Sequence, residues 1–171
     1  MAYLITGASS GIGLELVKQL AADGKKVVAT VRTKQGSGGG GVDMISQLEG
    51  DITIIENIDV SNDNVGTILV NALVSRGYGG STGLTMIDVV VHNAGSLNGT
   101  RAVPASDIMS EQKFTSITMD RMRLAFEVNT LGPLRIQQAL MNANLMVLPS
   151  SSSSADTDTG TMVGKNQQNQ K

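Results

Sequence analysis

Short apolar runs alternate with segments of helical periodicity along the chain as far as Val91. The apolar runs are rich in β-branched side chains, which is typical of buried parallel strands. They cover Tyr3–Ile5, Val27–Val31, Ile52–Val60 and Met86–Val91. Strands that alternate with helices predict βαβ units, a parallel sheet and right-handed crossovers.

Apolar residues at helical spacing mark the segments between these runs. The first such segment predicts a helix over residues 11–22 that stops at an Asp-Gly pair. A second helix precedes the fourth strand, with Ser61 as its expected N-cap. Thr118–Leu145 is predicted to be one long helix, kinked at Gly132-Pro133 because proline lacks a backbone N–H and clashes with the preceding turn.

Glycine-rich and polar stretches interrupt this order. Gly36–Gly41 and Gly77–Gly83 are expected to be loops that connect the βα units. Ser150–Lys171 contains five consecutive serines and almost no apolar residue, so we expect it to be disordered. The chain is therefore predicted to consist of an α/β part at residues 1–149 and a low-complexity polar tail at residues 150–171.

Composition narrows the classes of function. The 171 residues carry a net charge of −2 and no cysteine, which gives no reason to expect nucleic acid, an anionic membrane, a disulfide or a thiolate metal site. No apolar segment approaches the roughly 20 residues that span a bilayer. The chain enters its first strand without a signal sequence, so we expect a cytoplasmic protein with neither a membrane nor a nucleic acid as partner.

The segment Thr6–Gly13, Thr-Gly-Ala-Ser-Ser-Gly-Ile-Gly, lies between the first strand and the first helix. A dinucleotide fold needs glycine here because the backbone must turn tightly and let a pyrophosphate approach. The helix N-terminus presents unpaired N–H groups to the phosphates, and Ser9 and Ser10 add hydroxyl donors. The alternative is a tight turn that binds nothing.

The glycine spacing, Gly-x-x-x-Gly-x-Gly, resembles the opening motif of the short-chain dehydrogenase/reductase family. Three further segments resemble motifs of that family in the same order: Asp59-Val60, Asn93-Ala94-Gly95 and Asn129. The resemblance spans residue 3 to about residue 145. It implies a Rossmann-type, doubly wound parallel sheet, in which Asp59 contacts adenine, the Asn93 motif steadies the sheet beside the cofactor, and Asn129 belongs to the catalytic tetrad.

The end of the second strand bears on cofactor choice. An NAD site usually places a carboxylate there for the ribose hydroxyls, whereas this chain has Val31 followed by Arg32. A guanidinium suits a ribose phosphate, so we expect NADP(H) to be preferred over NAD(H). Arg32 as an ordinary solvated charge is the alternative. The expected cofactor-binding residues are Gly7, Ser9, Ser10, Gly11, Ile12, Gly13, Arg32, Asp59, Val60, Asn93, Ala94 and Gly95.

Simpler roles are open for several of these residues. Asp59 could cap the loop before the next helix, and Asn93 could be a turn residue with a left-handed backbone. Asn129 could face solvent, although an isolated polar residue beside Val128 suggests a specific hydrogen bond. His92, the single histidine, is expected to be a strand-end residue rather than a base or a metal ligand.

The segment that would carry catalysis is missing from the sequence. The family resemblance implies a serine after a fifth strand and a Tyr-x-x-x-Lys pair, in which the lysine lowers the pKa of the tyrosine. Tyr3 is followed four residues later by Gly7 and Tyr78 by Thr82, so Asn129 is the only tetrad member present. Only about four strands can be assigned, and the fourth is expected to be an open edge, with the fifth beginning about where the chain ends.

These observations leave three hypotheses. The first is the N-terminal portion of an NADP-dependent oxidoreductase that transfers a hydride between NADPH and a small carbonyl or alcohol substrate. The second is a non-catalytic protein that binds a nucleotide or a partner, with a possible homo-oligomer through the helix around Asn129. The third is a fragment that does not fold stably by itself, because an edge strand without a partner invites aggregation.

Overall fold

The strands predicted from the apolar runs lie side by side in one parallel sheet. The computed structural model describes residues 1–32, 40–79, 85–96, 115 and 117–146. Within them the strands are β1 (Ala2–Ile5), β2 (Lys26–Thr30), β3 (Ile52–Ile55) and β4 (Val89–Val91), in the order β3-β2-β1-β4. All three pairings are parallel, so the predicted α/β class with a four-stranded parallel sheet is confirmed.

Helices connect and follow these strands. They are α1 (Gly11–Ala22), α2 (Gly40–Ser46), α3 (Val65–Val74), α4 (Met119–Phe126) and α5 (Gly132–Asn142), with a π-helical segment at Glu127–Leu131 between the last two. The predicted bounds of α1 match those of the structure. No helix in the described part of the chain is long and apolar enough to cross a bilayer.

Two apolar layers flank the sheet, because successive side chains of a strand point to opposite faces. Leu4 lies in the layer beneath α3 and α5, and its neighbour Ile5 lies in the layer beneath α1 and α2. Helices α3 and α5 meet at Gly66, where an added Cβ would lie 2.6 Å from the Cβ of Ala139. The absence of a side chain at Gly66 therefore allows these two helices to approach each other closely.

The third strand is shorter than predicted. It ends at Ile55, and Asn57 turns the chain with a φ of +64°. The apolar run continues because Ile58 and Val60 are buried, and the Ile58 amide donates to the Val31 carbonyl at 3.0 Å. Burial of apolar side chains in a loop thus produced a strand-like pattern. The fourth strand is also shorter than predicted, because β4 begins at Val89, three residues after the predicted start.

The N-cap prediction for α3 is wrong. This helix follows Asn64 rather than Ser61, because the Ser61 hydroxyl and amide both donate to the Asp59 carboxylate. Ser61 is therefore part of the turn after β3.

The predicted long helix is divided by the π-helical segment. Thr118 caps its N-terminus by accepting a hydrogen bond from the Arg121 amide, and the helix ends at Asn142. The Gly132 amide donates to the Glu127 carbonyl five residues back, so the irregularity precedes Gly132-Pro133 and is a π-bulge. Pro133 has no N–H to donate to the carbonyl of Asn129, which favours such a local change of pairing.

The expected open edge of β4 has a neighbour. The Ile87 amide donates to the Leu145 carbonyl at 2.8 Å, and Ile87 forms a parallel bridge with Met146. Backbone pairing along the edge of β4 thus starts directly after α5. The expectation that the fifth strand would pair there only from about the end of the chain is wrong. The polar tail at 150–171 lies outside the described residues, as do residues 36–39 and 80–83 of the two glycine-rich segments. The loop prediction for Gly36–Gly41 is wrong at its end, because Gly40 and Gly41 form the first turn of α2.

Candidate functional site

The turn between β1 and α1 depends on glycine. Gly7 and Gly11 have φ angles of +68° and +56°, in the left-handed region that L side chains rarely adopt. A Cβ on Gly7 would lie 2.8 Å from the Cα of Ala94, and one on Gly13 would lie 2.5 Å from Nδ2 of Asn93. The turn can therefore approach the loop after β4 only because these positions lack side chains.

Hydrogen bonds tie that loop to the glycine turn. The Asn93 amide group donates to the carbonyls of Thr6 and Gly7 at 3.0 and 3.1 Å. The Ala94 amide donates to the Thr6 hydroxyl at 3.0 Å. Asn93 does not have a positive φ, so the alternative of a left-handed turn residue is wrong. Its side chain joins the two loops into one unit.

The N-terminus of α1 opens on the same side of the molecule. Its N-cap residue Ser10 is extended, with φ −163°, and its side chain makes no capping hydrogen bond. The first N–H groups of a helix have no acceptor within the helix, and the helix dipole makes this end positive. The arrangement suits an anion such as a phosphate group.

A cleft of about 240 Å³ lies where these segments meet. Of the twelve residues predicted to bind a cofactor, nine line it; the exceptions are Gly11, Ile12 and Gly13. Gly13 contributes close packing instead, and Ile12 is 75% exposed. The cleft lining consists of Gly7, Ser9, Ser10, Arg32, Ile58, Asp59, Val60, Ser61, Asn93, Ala94, Gly95, Ser96, Leu124 and Val128.

Charged side chains enter the cleft from the ends of β2 and β3. Val31 is buried beneath α1, whereas the next residue, Arg32, is exposed and lines the cleft. Asp59 enters from the loop after β3, with one carboxylate oxygen accepting from the Ser61 amide at 3.0 Å and from its hydroxyl at 2.7 Å. Asp59 thus organises its own loop and also contributes to the cleft wall.

Asn129 contacts the cleft through another residue. Its side-chain oxygen accepts from the Ser96 amide at 2.8 Å, and its nitrogen donates to the Ser96 carbonyl at 2.9 Å. The specific hydrogen-bonding task expected for Asn129 is therefore present, and Asn129 is also exposed, as the alternative expected. Asn129 itself is not part of the lining, whereas Ser96 is.

Five lining residues were not predicted from the sequence. Ile58, Ser61 and Ser96 adjoin predicted positions, so the neighbourhood of a motif was a usable signal. Leu124 and Val128 come from the helical segment before Asn129. Their i, i+4 spacing shows that they share a helix face, but it contains no information about which loop that face meets.

The remaining side chains considered for a chemical role, His92 and Tyr78, do not line the cleft. His92 follows β4 directly and is exposed, as expected for a strand-end residue. Desolvation lowers the pKa of its imidazole, and a hydrogen bond with the Gln137 side chain opposes that shift. The Tyr78 hydroxyl pairs with the hydroxyl of Thr53 at 3.2 Å. Among the described residues, no group of three or more histidine, cysteine or carboxylate side chains could hold a metal ion.

Comparison with known families identifies the class of protein. The sequence profile of the short chain dehydrogenase family matches residues 2–157, which is most of the chain. The chain therefore belongs to this family, whose members bind nicotinamide cofactors. The match continues into the segment expected to be a polar tail, and the division at residue 149 stays a prediction.

Individual relatives are longer than this chain. An uncharacterized oxidoreductase of Methylorubrum extorquens is 29% identical over 136 residues, which are 80% of this chain and 47% of that protein. A short-chain dehydrogenase structure from Streptomyces avermitilis is 25% identical with a TM-score of 0.60, over 82% of this chain and 43% of the other. The chain thus spans about half the length of the relatives it matches.

Two more distant structures share the fold. An alcohol dehydrogenase from the archaeon Thermococcus sibiricus, solved with 5-hydroxy-NADP, has a TM-score of 0.59 at 23% identity and aligns with 83% of this chain and 51% of its own. The NADH-dependent reductase A1-R', solved with NAD, has a TM-score of 0.59 at 21% identity and aligns with 83% and 51%. The fold is therefore common to proteins solved with either type of cofactor.

Proposed function

We propose that this chain binds NADP(H) in the cleft and supplies the cofactor-binding part of an oxidoreductase. The observation that carries the proposal is the cradle formed by Gly7, Gly13 and Asn93, in which the glycine turn packs so closely against the loop after β4 that an added Cβ would clash with Ala94 or Asn93. Such a cradle at a helix N-terminus fits a dinucleotide phosphate. When bound, the nicotinamide would accept or deliver a hydride, and the partner in the exchange would be a small carbonyl or alcohol.

Arg32 is the proposed determinant of the preference for NADP(H). It is the one cationic residue among the described residues that line the cleft, and it follows β2 directly. A guanidinium forms paired, charge-assisted hydrogen bonds with a phosphate. Because similar folds have been solved with NAD and with an NADP derivative, the preference rests on Arg32 and not on the likeness.

Titration of the purified chain tests both statements. A nucleotide that binds only the folded state adds about 2.7 kcal/mol at a concentration of 100 Kd. For a chain of this size that raises Tm by about 5–11 °C. We expect this shift with NADPH and a smaller one with NADH at equal concentration. Equal dissociation constants would overturn the preference, and no shift with either cofactor would overturn nucleotide binding.

A matched pair of variants isolates the guanidinium. Arg32→Gln should weaken NADPH binding by about ten- to a hundredfold, the effect of a hydrogen bond to a charged group, and leave NADH binding nearly unchanged. Arg76→Gln is the control, because Arg76 lies on the surface and bonds to the Ala72 carbonyl. If both variants changed NADPH affinity equally, the loss would reflect overall charge rather than a phosphate contact.

We further propose that the 171 residues alone do not turn over substrate. Neither tyrosine lines the cleft: Tyr78 contacts Thr53 on β3, and the Tyr3 hydroxyl points toward the Met1 sulfur at 3.8 Å. Asn129 would then orient Ser96 beside the cofactor without a proton donor from Tyr-x-x-x-Lys. Oxidation of NADPH by the purified chain with any carbonyl substrate would contradict this proposal.

Self-association is the second candidate role, and an exposed apolar stripe on α4 favours it. Met119, Met122 and Phe126 are 66%, 49% and 55% exposed, at i, i+3 and i+7 spacing on the helix that precedes Asn129. Large apolar side chains grouped on a surface commonly mark a protein interface. We propose that a second copy of the chain covers this stripe in a homo-oligomer, and light scattering of the purified chain would measure it.

A further inference from the structure

A single arginine bridges two segments that are distant in sequence. Arg135 on α5 donates from Nη1 to the Glu127 carboxylate at 2.7 Å and from Nη2 to the Asp63 carboxylate at 2.5 Å. The two acceptors are 8 and 72 residues away in the chain. The Arg135 side chain is only 22% exposed, whereas its partner Asp63 is 84% exposed, so the arginine is packed against protein and the Asp63 end of the bridge reaches the surface.

The two carboxylates adjoin two different walls of the cleft. Asp63 follows the segment 59–61, which forms one wall, and Glu127 directly precedes Val128 in the other. Glu127 is also the first residue of the π-helical segment that contains Asn129. The bridge through Arg135 therefore links the loop after β3 to the helical wall of the cleft.

A second contact shows how closely the helix that carries Arg135 approaches this loop. A Cβ on Gly132 would lie 2.5 Å from the Val60 carbonyl oxygen, so the start of α5 lies directly against the loop after β3. Close packing sets this contact, and the two ion pairs of Arg135 lie beside it.

From this geometry we infer that Arg135 is a positioning residue, which holds the helical wall at the separation from the β3 loop that the bound nucleotide requires. It does not line the cleft and acts only through Asp63 and Glu127. A planar guanidinium can serve two carboxylates at fixed angles, which a lysine ammonium does less well. The inference rests on the proposed nucleotide binding and adds a residue that no sequence motif indicated.

The chain contains a natural control for this bridge. Arg123 pairs with Asp120 three residues earlier, and the two side chains are 77% and 91% exposed. An exposed pair within one helix contributes little and connects no separate segments. Arg123→Gln therefore removes the same charge as Arg135→Gln without releasing a wall of the cleft.

The test measures dissociation constants for NADPH and for adenosine 2′,5′-bisphosphate, which lacks the nicotinamide. Arg135→Gln should weaken both by about three- to tenfold, a typical size for coupling through neighbouring side chains. Arg135→Lys should recover part of the affinity, and Arg123→Gln should match the wild type. Tm is measured for every variant, so that a loss of affinity can be compared with any loss of stability.

Variants at the two acceptors separate bridging from simple charge. Asp63→Asn and Glu127→Gln should each produce most of the loss seen with Arg135→Gln, and the double variant should be no weaker, because a bridge fails when either end is released. Asp63 is 84% exposed, so its variant keeps the inference testable even if Arg135→Gln does not fold.

The possible outcomes distinguish this inference from the function on which it rests. No nucleotide binding by the wild-type chain would overturn the proposed function and the inference with it. Wild-type binding combined with an unchanged dissociation constant in Arg135→Gln would overturn the inference alone, whatever happens to Tm. Additive effects of the two acceptor variants would also overturn it, because they would indicate two independent contacts.

Discussion

The packing of the glycine turn against the loop after β4 can be tested with two glycines that share one backbone conformation. Gly7 and Gly24 both have a φ of +68°, so alanine at either position is strained in the same way. Around Gly24 nothing lies within 4 Å of an added Cβ, whereas the one on Gly7 would lie 2.8 Å from the Ala94 Cα. Comparing Gly7→Ala with Gly24→Ala therefore isolates the contact between the glycine turn and the loop after β4.

The magnitude follows from two contributions. Left-handed backbone costs an L residue about 1–2 kcal/mol, and both variants incur it. The Gly7 variant also brings its Cβ at least 0.6 Å inside the 3.4 Å lower limit of ordinary contact, and overpacking of this kind costs about 1–3 kcal/mol. We expect Gly24→Ala to lose about 1–2 kcal/mol and Gly7→Ala about 2–5 kcal/mol, which correspond to falls in Tm of about 2–8 and 4–20 °C.

Nucleotide binding should separate the two variants more clearly than stability does. The Ala94 Cα can retreat only if its loop moves, which would disturb the 3.0 Å hydrogen bond from the Ala94 amide to the Thr6 hydroxyl. Thermal unfolding by circular dichroism and titration with NADPH should show lost binding in Gly7→Ala and wild-type binding in Gly24→Ala. Equal falls in Tm, or wild-type affinity in Gly7→Ala, would refute the reasoning.

Three further predictions concern other parts of the site and surface. Asn129→Ala should lose about 1–3 kcal/mol, because it removes two hydrogen bonds to Ser96, and it should weaken NADPH binding; unchanged affinity in a titration would contradict the role of Asn129. The pKa of His92 is lowered, so its neutral form is favoured by folding, and stability should fall as pH drops below about 6.5 toward the folded-state value. An NMR titration of this single histidine should give a pKa below that of an unfolded peptide, and a higher value would contradict the expected desolvation. Met122→Lys and Phe126→Lys should convert an oligomer to monomer in light scattering, while the same oligomer in both variants would exclude the α4 stripe as the interface.

Much of the cleft was predictable because its parts are local in sequence. The bounds of α1 followed from apolar spacing and an Asp-Gly stop, and the positive φ angles of Gly7 and Gly11 favour glycine for a reason that acts within a single turn. Asp59 and Asn93 follow β3 and β4, and the carboxyl ends of parallel strands meet at one edge of a sheet. Their convergence on one cleft was therefore implied as soon as the strands were assigned.

Other features depend on contacts between distant segments. Whether Ile58 and Val60 continue a strand or pack as a loop depends on what covers them, and hydrophobicity is the same in both cases. The π-helical turn at Glu127–Leu131 lies against Val60 through Gly132, and Leu124 and Val128 belong to the cleft only because the helix is placed there.

The sequence by itself determined the fold class and the family of this protein, because the alternation of strands and helices, the glycine spacing and the strand-end motifs are local features. Tertiary structure decided which side chains complete the cleft and how its walls are held. Arg135 illustrates the reason, because its two acceptors are 8 and 72 residues away in the chain. Only the packing of α5 beside the loop after β3 brings these groups together, and no pattern of neighbouring residues indicates such a contact.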